Sequence, residues 1–297
     1  DKRRTTIAGP DEGFAYNQEA YIVDEDVYVI VSRDGWVKRQ RSYTDVQSIR
    51  VRESDAVGWV LPGSTRATVG FFTNYGRCYT TRIEALPSTT GYGDPVQKLF
   101  DFSDRERVVG VVVFDERALP QPMPSPKTEP ELFEDRGEPQ VLGLHLVAIT
   151  RLGQTLRMPI DSFREPSTKN GRLFMRLETG DEVLGVEVAR GNENVCLASR
   201  NGYVLIFPVA QIPPVRSAAK GVIAMRLGKG DEVLGFTLAS AAREGLEVET
   251  TRGRREIVRI TKFEVSRRGN RGRQIIRRGQ LARVMLPPVE IRFNGQR

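Results

Sequence analysis

Between residues 252 and 283 the chain sets twelve basic side chains (Arg252, Arg254, Arg255, Arg259, Lys262, Arg267, Arg268, Arg271, Arg273, Arg277, Arg278 and Arg283) against two acids, Glu256 and Glu264. The 297-residue chain carries +7, so a segment at +10 leaves the remainder at −3. The planar guanidinium fork of arginine fits phosphate oxygens two at a time. The stretch SRRGNRGRQIIRRG interleaves arginine with glycine, which lets a polyanion approach the backbone closely. The chemistry such residues offer is neutralisation of a polyanion, with no bond made or broken.

Smaller basic groups follow the same logic: Lys38, Arg39, Arg41, Arg50 and Arg52 near the start, then Lys98, Lys169, Arg172 and Lys220 in later loops. No aromatic-rich stacking surface accompanies them, which favours duplex backbone over single strands. The plain alternative is a solvated charged loop, and the scarcity of interleaved acids stands against it.

Catalytic chemistry finds no support. With one histidine, His145, and no nucleophile-elbow sequence, a nucleophile–histidine–acid arrangement finds no support. GxxxxGK[ST] is absent, so there is no P-loop. Gly91-Tyr92-Gly93 reads as a turn without the strand–helix context of a dinucleotide site. Asp181-Glu182 and Asp231-Glu232 recur in register just before a strand, which assigns them to turns. Cys78 and Cys196 read as buried free thiols, suited to a reducing cytoplasm, and no metal-binding pattern exists. There is no run of about 18 apolar residues of the length that spans a bilayer.

The elements that position these cations repeat. GRLFMRLETGDEVLG (171–185) and GVIAMRLGKGDEVLG (221–235) agree at ten of fifteen positions. A hairpin recurs five times, at 28–39, 69–82, 146–159, 195–208 and 246–259, each turning on a glycine: Gly35, Gly76, Gly153, Gly202 and Gly253. Glycine supplies the positive φ that such turns need. Helical periodicity is weak throughout. Four short strands at a period near 50 residues predict an all-β fold, a propeller-like disc of five four-stranded blades. Approximate blades are 24–67, 68–114, 143–191, 192–241 and 242–291, preceded by a linker (1–23) and followed by a tail (292–297). The first residue, Asp1, suggests an excised piece of a longer chain. Residues 115–142 hold six prolines and seven acids, the composition of a mobile insertion.

These features resemble the C-terminal domain of the A subunit of bacterial type IIA topoisomerases, over 27–291. SRDGWVKR, TNYGRCYTT and SRNGYVLIFP carry the resemblance, with LPSTTGYGDPV (86–96) and the opening DKRRT. It implies a β-pinwheel whose basic perimeter bends duplex DNA, linked in cis to the breakage-reunion domain and partnered by the B subunit. The holoenzyme would then use ATP and Mg, with no cofactor in this chain, and would act in the cytoplasm at the nucleoid. Gyrase carries QRRGGKG after its first hairpin, where this chain has QSIRVRE (47–53), and gyrase typically has six repeats. Both departures point to topoisomerase IV, which decatenates and relaxes. SRRGNRG (266–272) echoes the gyrase box, so a gyrase with a displaced box is the alternative, and a protein-binding propeller scaffold is the third. The family's catalytic tyrosine follows an arginine, and no Arg-Tyr pair occurs here. The chain is expected to bind and shape DNA without cutting it.

Overall fold

The computed structural model describes residues 22–122 and 143–293. Residues 1–21 of the expected linker and 123–142 of the proline-rich stretch therefore lie outside the described residues. Twenty strands form five sheets. The first blade holds β1 (Asp26–Ser32), β2 (Trp36–Gln40) and β3 (Val57–Ser64), and the second β4 (Thr68–Thr73), β5 (Arg77–Arg82) and β7 (Val108–Val113). Between β5 and β7 runs the short β6 (Asp94–Pro95). The third blade holds β8 (His145–Thr150), β9 (Gln154–Pro159) and β11 (Val183–Ala189), with β10 (Arg172–Leu173) between the last two. The fourth holds β12 (Asn194–Ser199), β13 (Tyr203–Pro208) and β15 (Val233–Ala239), with β14 (Val222–Ile223). The fifth holds β16 (Leu246–Thr250), β17 (Arg255–Val258) and β19 (Leu281–Met285), with β18 (Arg273–Gln274), and β20 (Val289–Glu290) follows.

The short strands are exchanged. β6 pairs with β2, β10 with β5, β14 with β9 and β18 with β13, so each blade's fourth strand comes from the next blade in the chain. Among the described residues no donated strand reaches the fifth blade, and its sheet has three strands rather than the expected four. The first gains a fifth instead, because β20 runs parallel to β3 with Val289 opposite Trp59. This C-terminal stretch joins the last blade to the first. Arg33 donates to the carbonyls of Leu286 and Pro287, Tyr43 to Glu290, and the Phe293 ring packs edge-on against Tyr28.

Alternation along the strands explains why these sequences stack as blades. Successive side chains point to opposite sheet faces, so a strand buried on both sides is apolar throughout. On β12, Val195 and Leu197 enter the core between blades three and four, while Cys196 and Ala198 enter the core between four and five. On β8, Leu146 and Ala148 face blade two and Val147 and Ile149 face blade four. Burial pushes both cysteine thiols up to about 12, leaving them protonated and inert.

The closing strands β3, β7, β11, β15 and β19 touch one another in sequence, so they line the centre. The exchanged strands β6, β10, β14 and β18 lie at the opposite sheet edges and form the perimeter. The start of the proline-rich stretch departs from expectation. Asp115 accepts from Ser64 N at 2.8 Å, and Ala118 is buried in the core between the first two blades. Residues 115–119 therefore belong to the disc.

Candidate nucleic-acid interface

Each perimeter strand is entered through a glycine at positive φ: Gly93, Gly171, Gly221 and Gly272. Space as well as φ demands it. A Cβ on Gly221 would stand 2.2 Å from the Thr155 carbonyl oxygen, and one on Gly272 would stand 2.3 Å from that of Val204. Loops of neighbouring blades then join along the rim. Asp101 N donates to Lys169 O at 3.0 Å, Arg176 N to Ala219 O at 2.9 Å, and Arg226 N to Asn270 O at 3.0 Å. The perimeter from blade two to blade five is thus one hydrogen-bonded track.

The structure sorts the sequence-selected cations into struts and surface charges. Lys38 is a strut: it is 2% exposed, with Nζ donating to Arg50 O at 2.8 Å and Gly91 O at 2.6 Å. It is withdrawn from the surface set because its charge is enclosed; desolvation first, and then Arg50, hold its pKa below the ordinary lysine value. Arg39 is half-buried and donates to Leu86 O. Arg172 spans the carbonyls of Ser162, Glu165 and Pro166, and Arg268 those of Gln211 and Ile223.

Others are exposed but neutralised. Arg41 pairs with Glu25 at 2.7 Å, Lys98 with Asp94 at 2.5 Å, and Lys220 stands 3.6 Å from Glu178. The +10 of the last repeat is also less open than its sequence window suggests, since Glu247 and Glu249 from β16 reach into it. Arg255 pairs with both, Arg283 with Glu249, and Arg254 and Lys262 with Glu256. Arg50 and Arg52 are exposed, with Arg52 stacked on the Trp36 ring at 4.7 Å.

Lys169, Arg267, Arg277 and Arg278 remain exposed with no carboxylate partner among the described residues. Arg271 lies over Tyr203 at 4.3 Å and Arg273 over Phe263 at 5.9 Å. Stacking of this kind fixes a guanidinium while leaving its edge free to engage phosphate oxygens.

Two exposed arginines on the track, Arg176 and Arg226, are absent from the sequence-selected set. Their signal is present in the repeat itself, as the shared MRL of residues 175–177 and 225–227. Met175 and Met225 are 1% exposed, so the arginine that follows each is turned outward.

The recurring Asp-Glu pairs are structural, as their place before a strand predicts. Asp181 Oδ1 accepts from Leu152 N, and Asp231 Oδ1 accepts from Asn201 N, both at 2.9 Å, holding the hairpin turn of the same blade. Glu232 pairs with Arg151 and Arg200 of successive hairpin turns, and Glu182 pairs with Arg151 and with Arg107, which precedes β7.

Known proteins share this arrangement. Residues 144–190 and 193–240 match the family described as DNA gyrase C-terminal domain, beta-propeller. The A subunit of DNA gyrase from Escherichia coli (strain K12) is 27% identical over 233 residues, covering 75% of this chain and 24% of that protein. The A subunit of DNA topoisomerase 4 from Caulobacter vibrioides is 25% identical over 206 residues, covering 69% and 23%. The chain thus spans about a quarter of the length of these relatives. A crystal structure of the C-terminal domain of DNA topoisomerase IV overlays with a TM-score of 0.74 at 22% identity, covering 90% of this chain and 79% of that one. The E. coli ParC C-terminal domain overlays at 0.65 and 17%, covering 88% and 98%. Two units of this chain, 144–190 and 193–240, thus match the gyrase C-terminal β-propeller family, and the chain as a whole shares the fold of the C-terminal domains of gyrase and topoisomerase IV A subunits.

Proposed function

We propose that this domain holds and bends duplex DNA along its perimeter, as the C-terminal domain of a topoisomerase IV A subunit. The observation that carries the reading is the continuous track of loops whose free and stacked arginines gather at blades four and five. Phosphate neutralisation by such side chains is independent of base sequence and sensitive to salt. The same reading places the domain in an ATP- and Mg-dependent holoenzyme that passes strands, decatenates and relaxes. The breakage-reunion region would lie in cis, and the B subunit would be the partner.

Topoisomerase IV is favoured over gyrase by the loop after the first hairpin. Residues 47–53 lack paired glycines, and Ile49 and Val51 pack on the outer face of blade one beside Tyr28 and Ile30. SRRGNRG is the ordinary crossover of blade five: Gly272 opens β18 as Gly171 opens β10. It therefore has a structural role that needs no gyrase box.

A salt titration by fluorescence anisotropy on a duplex of about 40 base pairs tests the binding. Alanine at Arg267, Arg271, Arg273 and Arg278 should weaken it and flatten the slope of log affinity against log salt by up to roughly 0.9 for each phosphate no longer neutralised. Unchanged affinity and slope would overturn the reading. Decatenation exceeding supercoiling in the assembled enzyme tests the topoisomerase IV assignment.

A further inference from the structure

One residue in each of three blades joins its loop to the next through its N–H. It is Asp101 in blade two, Arg176 in blade three and Arg226 in blade four. Arg277 follows Gly272 by the same five residues that separate Arg176 from Gly171 and Arg226 from Gly221. Asp101 lies eight residues after Gly93, and the five-residue place there belongs to Lys98, which pairs with Asp94; the three joints are therefore acidic once and then basic twice, and Arg277 continues the basic series in blade five. All four residues are exposed.

The surrounding loop changes in the same direction. Over nine residues from each crossover glycine, Asp94, Lys98 and Asp101 leave blade two at −1, and Arg172, Arg176 and Glu178 leave blade three at +1. Blade four reaches +2 through Arg226 and Lys229, and blade five +3 through Arg273, Arg277 and Arg278. The step from blade three to four lies inside the near-identical repeat. Glu178 becomes Gly228 and Thr179 becomes Lys229, which adds two charges, and Arg172 becomes Val222, which removes one. Between the fixed MRL and GDEVLG only residues 178 and 179, both exposed, change, which is what a surface shaped for a ligand shows. A backbone-linked track fixes the spacing of its charges, so a polyanion laid along it meets one cation per blade.

We infer that the perimeter is a graded track, on which duplex DNA is gripped once per blade by Arg277, Arg226 and Arg176 in falling order and released at Asp101. This rests on the nucleic-acid reading above and adds its direction and its end point. The arc of contact covers blades five to three. Blade two repels the duplex, so the bend stops short of a full circuit of the disc.

The test combines loss and gain on the full chain, with circular dichroism melts to verify folding. Arg226→Ala should cost more affinity than Arg176→Ala, because the loop around Arg226 carries +2 and that around Arg176 carries +1. The double variant should lower the salt slope by up to roughly 1.8, at about 0.9 per phosphate. Its hydroxyl-radical footprint should shrink from one end only. Asp101→Arg should lengthen that same end and tighten binding. The gradient is overturned if the double variant and Asp101→Arg keep the parent footprint and slope while the Arg267, Arg271, Arg273 and Arg278 variant no longer binds DNA. In that case binding stands and its direction does not. If none of these variants changes binding, the nucleic-acid reading itself falls.

Discussion

Glu232 of the fourth blade holds two arginines from successive hairpin turns, Arg151 at 3.1 Å and Arg200 at 2.5 Å. Glu182, one blade earlier, also holds two arginines, Arg107 just before β7 at 2.9 Å and Arg151 of the third-blade turn at 3.6 Å. A belt of alternating charge therefore crosses blades two, three and four. Desolvation pushes the Glu232 carboxyl up, but the bonds from Arg200 and Arg151 outweigh it and hold the pKa below the ordinary glutamate value. Such a group stabilises the fold above its unfolded pKa and ceases to as pH falls through the folded one. Glu232→Gln should cost about 1 kcal/mol at neutral pH, since partly exposed pairs are screened. Thermal melts should show the difference at pH near 7 and its disappearance in acid.

Glu187 titrates in the opposite sense. Its carboxylate accepts from Leu238 N at 3.0 Å across the seam between β11 and β15, and burial pushes its pKa up to about 7. A raised carboxylate pKa gives stability that is complete below the unfolded value near 4.5 and lost as pH rises toward 7. Glu187→Gln should flatten the dependence of melting temperature on pH across that window. A parent curve that is already flat there would contradict this.

The crossover glycines separate space from backbone strain. Gly221→Ala meets both a positive φ and the Thr155 carbonyl oxygen, whereas Gly180, also at positive φ, has nothing within 4 Å of a Cβ. Left-handed backbone alone costs about 1–2 kcal/mol, and overpacking adds roughly 1–3. Urea denaturation should therefore rank Gly221→Ala well below Gly180→Ala in stability.

Lys38→Met should destabilise the fold by about 1–3 kcal/mol, because the carbonyls of Arg50 and Gly91 lose a buried donor. Its DNA salt slope should equal that of the parent protein. A flattened slope would return Lys38 to the binding surface.

The repeats, the hairpin glycines and the cationic last blade are legible in the sequence because each leaves a periodic mark. Gly35, Gly76, Gly153, Gly202 and Gly253 all adopt the positive φ that the turn pattern requires. Lys38 misleads because it sits beside arginines on a strand, and its enclosure depends on a loop 53 residues away. Exchange of β6, β10, β14 and β18 leaves no mark, since two-residue strands are too short to show periodicity and their partners are distant. Arg176 and Arg226 are hidden beside denser charge. A lone arginine gains meaning only when the fold sets it at the same place in successive blades.

The exchange of strands also puts the repeating sequence and the completed blade out of step. During synthesis the amino-terminal blade emerges first, yet its sheet stays open until residues 94 and 95 of the next repeat arrive. The same delay holds for the second, third and fourth. The fifth receives no donated strand among the described residues, and residues 289 and 290 return to blade one. A ribosome halted after any whole repeat would hold a last blade whose outer edge lacks its partner. Among the described residues the fifth blade keeps such an open outer edge at β17, while the segment that follows it binds blade one.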